Sequence, residues 1–207
     1  TLQANMERVF PFAPKEGGKK GVIQNINFQY SARAENRIIT TEDNLFTSKM
    51  FEGARAGMIH NIPLGTNFKL FKHLSISLGS SYKEVWTPQT IRYNDYNEES
   101  KSVIKDTING FDAYRTYGLS SSLGTTIYGI FNFGEDKKIQ SIRHTIRPSV
   151  SYGYTPSFEK QYYDTYIIDA DGNTSSYNRF QEGLFGGPSG GVGSSVGIAI
   201  NNSFEAK

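Results

Sequence analysis

The residues of this 207-residue chain with the capacity for chemistry are few and widely spaced. Three histidines, His60, His73 and His144, have no cysteine to accompany them, because the chain contains none. A metal site would need these histidines to converge with carboxylates over long stretches of chain. His60 and His144 instead fall among apolar residues in an alternating register, where an imidazole suits a membrane interface better than a coordination sphere. Asp169-Ala-Asp171-Gly-Asn173 has the look of a calcium loop, but its glycine is fourth where sixth is required, and Phe180 occupies the twelfth position in place of glutamate. The plainer reading is a hairpin turn at Asp171-Gly172 with 162–168 and 175–180 as arms; a weakly held calcium ion is the alternative. The glycine-rich stretch 186–193 lacks phosphate-loop spacing and reads as a loop root. No serine has a persuasive histidine and aspartate to activate it, so no enzyme and no cofactor are expected.

The elements that must position these residues are extended. In 141–156, Ile142, His144, Ile146, Pro148, Val150, Tyr152 and Tyr154 alternate with Ser141, Arg143, Thr145, Arg147, Ser149, Ser151 and Gly153. Successive strand residues point to opposite faces, so this is a ribbon with one apolar, aromatic-ended side and one small, polar, cationic side. The same period-2 pattern recurs in 2–10, 22–39, 54–65, 74–86, 111–133 and 192–204, and no segment carries a helical stripe. Seven such ribbons predict an all-β, antiparallel fold. Stretches of roughly 11 to 20 residues exceed the usual 5 or 6 of globular strands.

The connections are sorted. Three are compact and basic: 11–21 with Lys15, Lys19 and Lys20, 68–73 with Lys69 and Lys72, and 134–140 with Lys137 and Lys138. Three are long and polar: 40–51, 92–110 and 157–190. Short turns on one rim and long loops on the other are the known asymmetry of outer-membrane barrels, periplasmic and extracellular respectively. Rings near strand ends (Phe10 and Phe12, Phe68 and Phe71, Tyr82 and Trp86, Phe131 and Phe133, Tyr152 and Tyr154) match interfacial girdles. Mean hydropathy of −0.49 and the lack of a long apolar run exclude a transmembrane helix but not alternating membrane strands. A net charge of +2, with scattered basic residues, gives no case for nucleic acid. The first residues carry no signal-peptide features, which implies removal or a start within a longer protein. Seven is odd, whereas single-chain bacterial barrels have an even count, so a transmembrane β-barrel larger than this piece is expected. Pro63, Pro148 and Pro156 lie within or at the ends of ribbons, where each removes a ladder donor. They mark bulges or strand ends, or else places where strand pairing is weakened so that a wall can open.

At Arg143-His144-Thr-Ile-Arg-Pro148-Ser-Val-Ser-Tyr152-Gly-Tyr154-Thr-Pro156 the chain resembles the LptD family of lipopolysaccharide-assembly barrels, in their Bacteroidetes form. Supporting stretches occur in family order: Arg8-Val-Phe-Pro11-Phe12, Asn36-Arg-Ile-Ile-Thr40, Gly57-Met-Ile-His60-Asn-Ile-Pro63 and Ile127-Tyr-Gly-Ile-Phe131. The resemblance implies an outer-membrane barrel on the order of 26 strands. Such a barrel receives lipopolysaccharide from a periplasmic Lpt bridge, inserts it sideways into the outer leaflet, and holds an LptE-type lipoprotein plug. The family's periplasmic jellyroll and its seam strands have no counterpart in this stretch, nor do the cysteines that proteobacterial members pair. In such a barrel Arg33, Arg37, Arg55, Lys83, Arg143 and Arg147 share the lumen side, where they would attract lipid phosphates or plug carboxylates, or pair with Glu7, Glu35 or Asp112. Two other readings stand beside this one. One is an outer-membrane porin or transporter barrel for other solutes. The other is a soluble carbohydrate-binding β-sandwich using Tyr93, Tyr96, Tyr162 and Tyr163 as stacking platforms.

Overall fold

The computed structural model describes residues 1–207 except Gly17, Lys19, Lys20, Glu52 and Lys72, so the basic character expected from Lys19, Lys20 and Lys72 lies outside the described residues. Among the described residues ten strands form: β1 (Leu2–Val9), β2 (Asn27–Arg37), β3 (Arg55–Leu70), β4 (Leu74–Tyr93), β5 (Lys105–Thr125), β6 (Ile127–Asn132), β7 (Ser141–Thr155), β8 (Tyr163–Ile167), β9 (Thr174–Asn178) and β10 (Gly193–Ala206). Eight of them make one antiparallel sheet in the order β1-β2-β3-β4-β5-β7-β10, with β6 prolonging the line of β5 along β7. The seven expected ribbons are therefore present, each beside its sequence neighbour. The sheet is open, with β1 and β10 at its edges.

Boundaries shift where local chemistry differs from the alternation. The expected strand over 22–39 begins only at Asn27, because Gly21–Gln24 form a helical turn entered through Gly21 at φ +79°. The 92–110 connection is shorter than expected: pairing continues from Gln89↔Asn109 to Tyr93↔Lys105. Two gaps in the ladders leave the register unchanged, and both fall at proline. Between Ser31↔Asn61 and Phe28↔Leu64, Gln29 and Tyr30 have no ladder partner opposite Ile62 and Pro63, yet the register is unchanged. Between Gly124↔Ser149 and Ile127↔Ile146, the break that divides β5 from β6 lies opposite Arg147 and Pro148, again without a register shift. A residue with no N–H removes one rung and leaves the strands aligned. Pro156 follows the last residue of β7.

Adjacent rows across the sheet have opposite character. Phe68, Ile76, Leu123, Val150 and Ile198 stand in register across β3, β4, β5, β7 and β10. The next row is Asn67, Ser77, Ser122, Ser151 and Gly197. The apolar row is left uncovered toward the β10 edge: Ile198 is 75% exposed, and its strand neighbours Val196 and Ile200 are 70% and 62% exposed. A monomeric soluble protein rarely leaves so continuous an apolar face uncovered. The buried core lies on the other face and only at its long-loop end, where Val85 and Tyr114 pack with Phe180.

Candidate functional site: the polar face and the loop folded onto it

The polar face is made of two regions. Toward the short turns it is a thin wall of small side chains. A Cβ added at Gly79, Gly153 or Gly197 would come within 3 Å of the hydroxyl of its cross-strand partner, Ser120, Ser195 or Ser151, so these Gly–Ser pairs keep the backbone accessible. Toward the long loops the face is larger, charged and covered. Arg33, Ile59, Val85 and Tyr114 form one row across β2, β3, β4 and β5.

The cover is the connection between β7 and β10. Phe180, 1% exposed, meets the rings of Tyr114 and Tyr162 edge-on at 5.0 and 5.7 Å. Burying a phenylalanine of this kind stabilises by roughly 1.5–3 kcal/mol. Phe185 lies on the sheet at Gly57, where a Cβ would stand 3.2 Å from its ring and 3.1 Å from the Trp86 carbonyl. The Arg33 guanidinium lies over that ring at 5.1 Å. Buried Asn178 latches the segment: its Nδ2 donates to the Pro188 carbonyl at 2.7 Å, and its Oδ1 accepts from the Phe180 N–H at 2.9 Å. The Ile91 N–H donates to the Arg179 carbonyl, which ties the loop to β4.

The same connection also closes an open strand edge. β7 pairs with β5 only up to Leu119, so the upper length of β5 has no strand on its β7 side. Tyr162, from the short helix Glu159–Tyr162, supplies what a strand would. Its hydroxyl accepts from the Arg115 N–H at 2.8 Å and donates to the Arg115 carbonyl at 3.2 Å. One hydroxyl thus satisfies both orphan groups of that residue.

The hairpin expected at Asp171-Gly172 is present as β8 and β9, with Gly172 at φ +81°. Asp169 is consumed by this turn: Oδ1 accepts the N–H groups of Asp171 and Asn173, and Oδ2 accepts from the Asn173 side chain at 2.8 Å. These donors, the Asn173 side chain foremost, hold its carboxyl below the ordinary aspartate range. Tyr93 stacks on Tyr166 at 4.7 Å and meets Tyr177 edge-on, so the strand end and the hairpin are packed together.

The six basic residues singled out from the sequence share this face but fall into two groups. Arg33 and Arg37 both approach Glu35, at 3.6 and 3.4 Å, and Arg55 stands directly opposite Arg37. Lys83 lies over the Tyr114 ring at 5.9 Å. These four belong to the long-loop end. Arg143 and Arg147 sit near the other end. Arg143 covers the Tyr128 ring and lies 3.6 Å from Glu205, and Arg147 pairs with Asn201. The histidines stay separate: His60 accepts or donates at Tyr30, His144 stacks on Phe204 at 4.1 Å, and the His73 carbonyl accepts from Thr125. Among the described residues, no group of three or more His, Asp or Glu is placed to hold a metal. Ser189 and Ser195 stand in G-x-S-x-G stretches, but Ser195 lies within β10 and no helix follows either, so neither is a nucleophile elbow.

Sequence reasoning missed two features. Glu84 and Arg115 pair on the apolar face, where Glu84 accepts from the Tyr82 hydroxyl at 2.7 Å, the Trp86 indole at 2.8 Å and the Arg115 guanidinium at 3.2 Å. The signal was available in Tyr82-Lys-Glu84-Val-Trp86, whose even positions hold a carboxylate between two aromatic donors. The second is Pro88. Thr87 pairs with Asp112 and Gln89 with Asn109, so β5 holds one extra residue opposite the proline, absorbed at Gly110 with φ +148°.

Among the described residues no helix is long and apolar enough to cross a membrane, which says nothing about strands. No curated protein and no solved structure matches the chain. A family model described as LptD protein matches residues 1–207, the whole of the stretch whose two-faced strands are described above. The chain belongs to the LptD family, an outer-membrane family of lipopolysaccharide transport and assembly.

Proposed function

We propose that this chain forms part of the wall of an outer-membrane barrel that delivers lipopolysaccharide into the outer leaflet. The observation that carries the reading is the pair of adjacent rows. Phe68-Ile76-Leu123-Val150-Ile198 is suited to lipid, and Asn67-Ser77-Ser122-Ser151-Gly197 is suited to a wet lumen. The edges at β1 and β10 would pair with further strands, since unpaired backbone in hydrocarbon costs several kcal/mol per group. The connections at 40–51, 94–104 and 157–190 would then face outward, and the short turns the periplasm and its Lpt bridge. An LptE-type lipoprotein plug fits the thin Gly–Ser wall, where a second backbone can approach closely. Arg33, Arg37, Arg55, Lys83, Arg143 and Arg147 would meet lipid phosphates or plug carboxylates. The ladder gaps at Pro63 and Pro148, with the strand end at Pro156, support local yielding of the wall. The function so read is physical passage and not bond-making.

Depletion of the full-length protein in cells tests this. Lipopolysaccharide at the cell surface should fall while it accumulates inside, and a lipoprotein should co-purify with the barrel. Unchanged surface lipopolysaccharide would overturn the reading in favour of passage of some other solute.

A further inference from the structure

We propose that the cleft between the upper ends of β3, β4 and β5 and the covering segment 179–184 binds an anionic sugar, a saccharide ring bearing a phosphate or carboxylate. The inference rests on the function just proposed, which brings saccharide-bearing lipid to this face.

The cleft holds about 520 Å³, within the range of roughly 300–1,000 Å³ typical of ligand sites. Arg55, Thr87, Gln89, Thr107 and Asn109 line it. Gln89 and Asn109 face each other across β4 and β5, and Thr107 is opposite Ile91. They share a face with Arg55 because of the bulge at Gly110. Without that extra residue, the side chains of β5 beyond Asp112 would alternate to the other face. The bulge beside Pro88 therefore builds the floor of the cleft. A side-chain amide offers both donors and an acceptor, which is what a ring of hydroxyls requires. A polar floor of this kind does not suit an acyl chain.

The charge comes from Arg55. It stands directly opposite Arg37, an arrangement that destabilises a sheet unless an anion intervenes. Glu35 is already shared between Arg33 and Arg37. Among the described residues, Arg55 takes part in no ion pair. On the opposite wall the charges are matched. Glu182 binds Lys105 at 2.6 Å, and Arg179 donates to the Gln161 carbonyl at 2.9 Å and lies 3.6 Å from Asp164. A forked guanidinium at one end and an amide floor at the other select a ring with one anionic substituent.

The test uses the full-length protein in lipid nanodiscs, titrated with glucosamine 1-phosphate, glucuronate, N-acetylglucosamine and inorganic phosphate. One or both charged sugars should bind at least about tenfold more tightly than the neutral sugar and than inorganic phosphate. Arg55→Gln should lower that affinity about tenfold, in line with a lost charge-assisted hydrogen bond. Asn109→Ala should weaken charged and neutral sugars alike, and Lys138→Gln in a short turn should change nothing. The proposal is overturned if neither charged sugar binds at millimolar concentration, if the neutral sugar or bare phosphate binds as well, or if Arg55→Gln has no effect. Loss of sugar preference with lipopolysaccharide delivery intact refutes this inference alone. Failed delivery with the preference intact refutes the functional reading alone.

Discussion

The outward assignment of the apolar row can be tested at Leu123. Along the β5–β6 ribbon it lies eight residues from Arg115, which pairs with Glu84 near the long-loop end, and eight from Phe131 near the short-turn end. At about 3.3 Å per residue and a strand tilt of about 40°, each distance projects to roughly 20 Å along the barrel axis. That places Leu123 close to the middle of an apolar band about 25 Å tall. Leu123 is 44% exposed, so a longer side chain can extend past its row neighbours Ile76 and Val150, and the penalty for a charge comes from its surroundings. Leu123→Arg should destabilise the inserted protein by about 2–4 kcal/mol. Ser122→Arg, one residue away on the polar face, should cost less than about 1 kcal/mol. With an m-value of about 3 kcal/mol per molar denaturant, the Leu123 variant should unfold about 1 M earlier. The measurement is reversible denaturant unfolding of the full-length protein in bilayers, followed by intrinsic tryptophan fluorescence. Equal costs at the two positions, or the larger cost at Ser122, would refute the assignment of faces.

Four further outcomes follow from the geometry. Gly110→Ala, at φ +148°, should destabilise the bulge by about 1 kcal/mol or more, read as a lower unfolding midpoint. Tyr162→Phe removes both bonds to Arg115 and should speed hydrogen exchange at the Arg115 amide at least tenfold, consistent with about 1–3 kcal/mol for groups left unsatisfied. Asn178→Ala should release the covering loop, with a cost of about 2–3 kcal/mol and new protease cleavage within 179–190. Asp169 is held below the ordinary aspartate range by Asn173, so its contribution to the hairpin is present above the unfolded-state value and disappears as pH falls through the folded-state one. The protection of the Asn173 amide relative to its intrinsic exchange rate should therefore fall on acidification below about pH 4, and Asp169→Asn should flatten that response.

The two faces were legible because strand alternation is a local property. Any two neighbours in 141–156 already report opposite sides, and seven repeats of that pattern imply a sheet whose every member has the same two faces. The hairpin at Asp171-Gly172 was legible for the same reason, since Asp169, Gly172 and Asn173 supply the turn within five residues. The shared side of Arg33, Arg37 and Arg55 followed from parity, whereas their grouping apart from Arg143 and Arg147 depended on register between strands.

Other features come from contacts between residues far apart in the chain. Phe180 and Phe185 give no periodic signal, and their place on Tyr114 and Gly57 follows from where a long connection finds apolar surface to bury. The Glu84–Arg115 pair needs β4 and β5 side by side before 31 residues of separation become 3.2 Å. Pro88 announces a lost donor but not the extra residue on the neighbouring strand that absorbs it. Which residues share a face follows from the order of residue types alone, because alternation depends only on backbone geometry. Which end of the polar face is covered and which lies open is set by the fold, because it depends on where the 37-residue connection between β7 and β10 returns to the sheet.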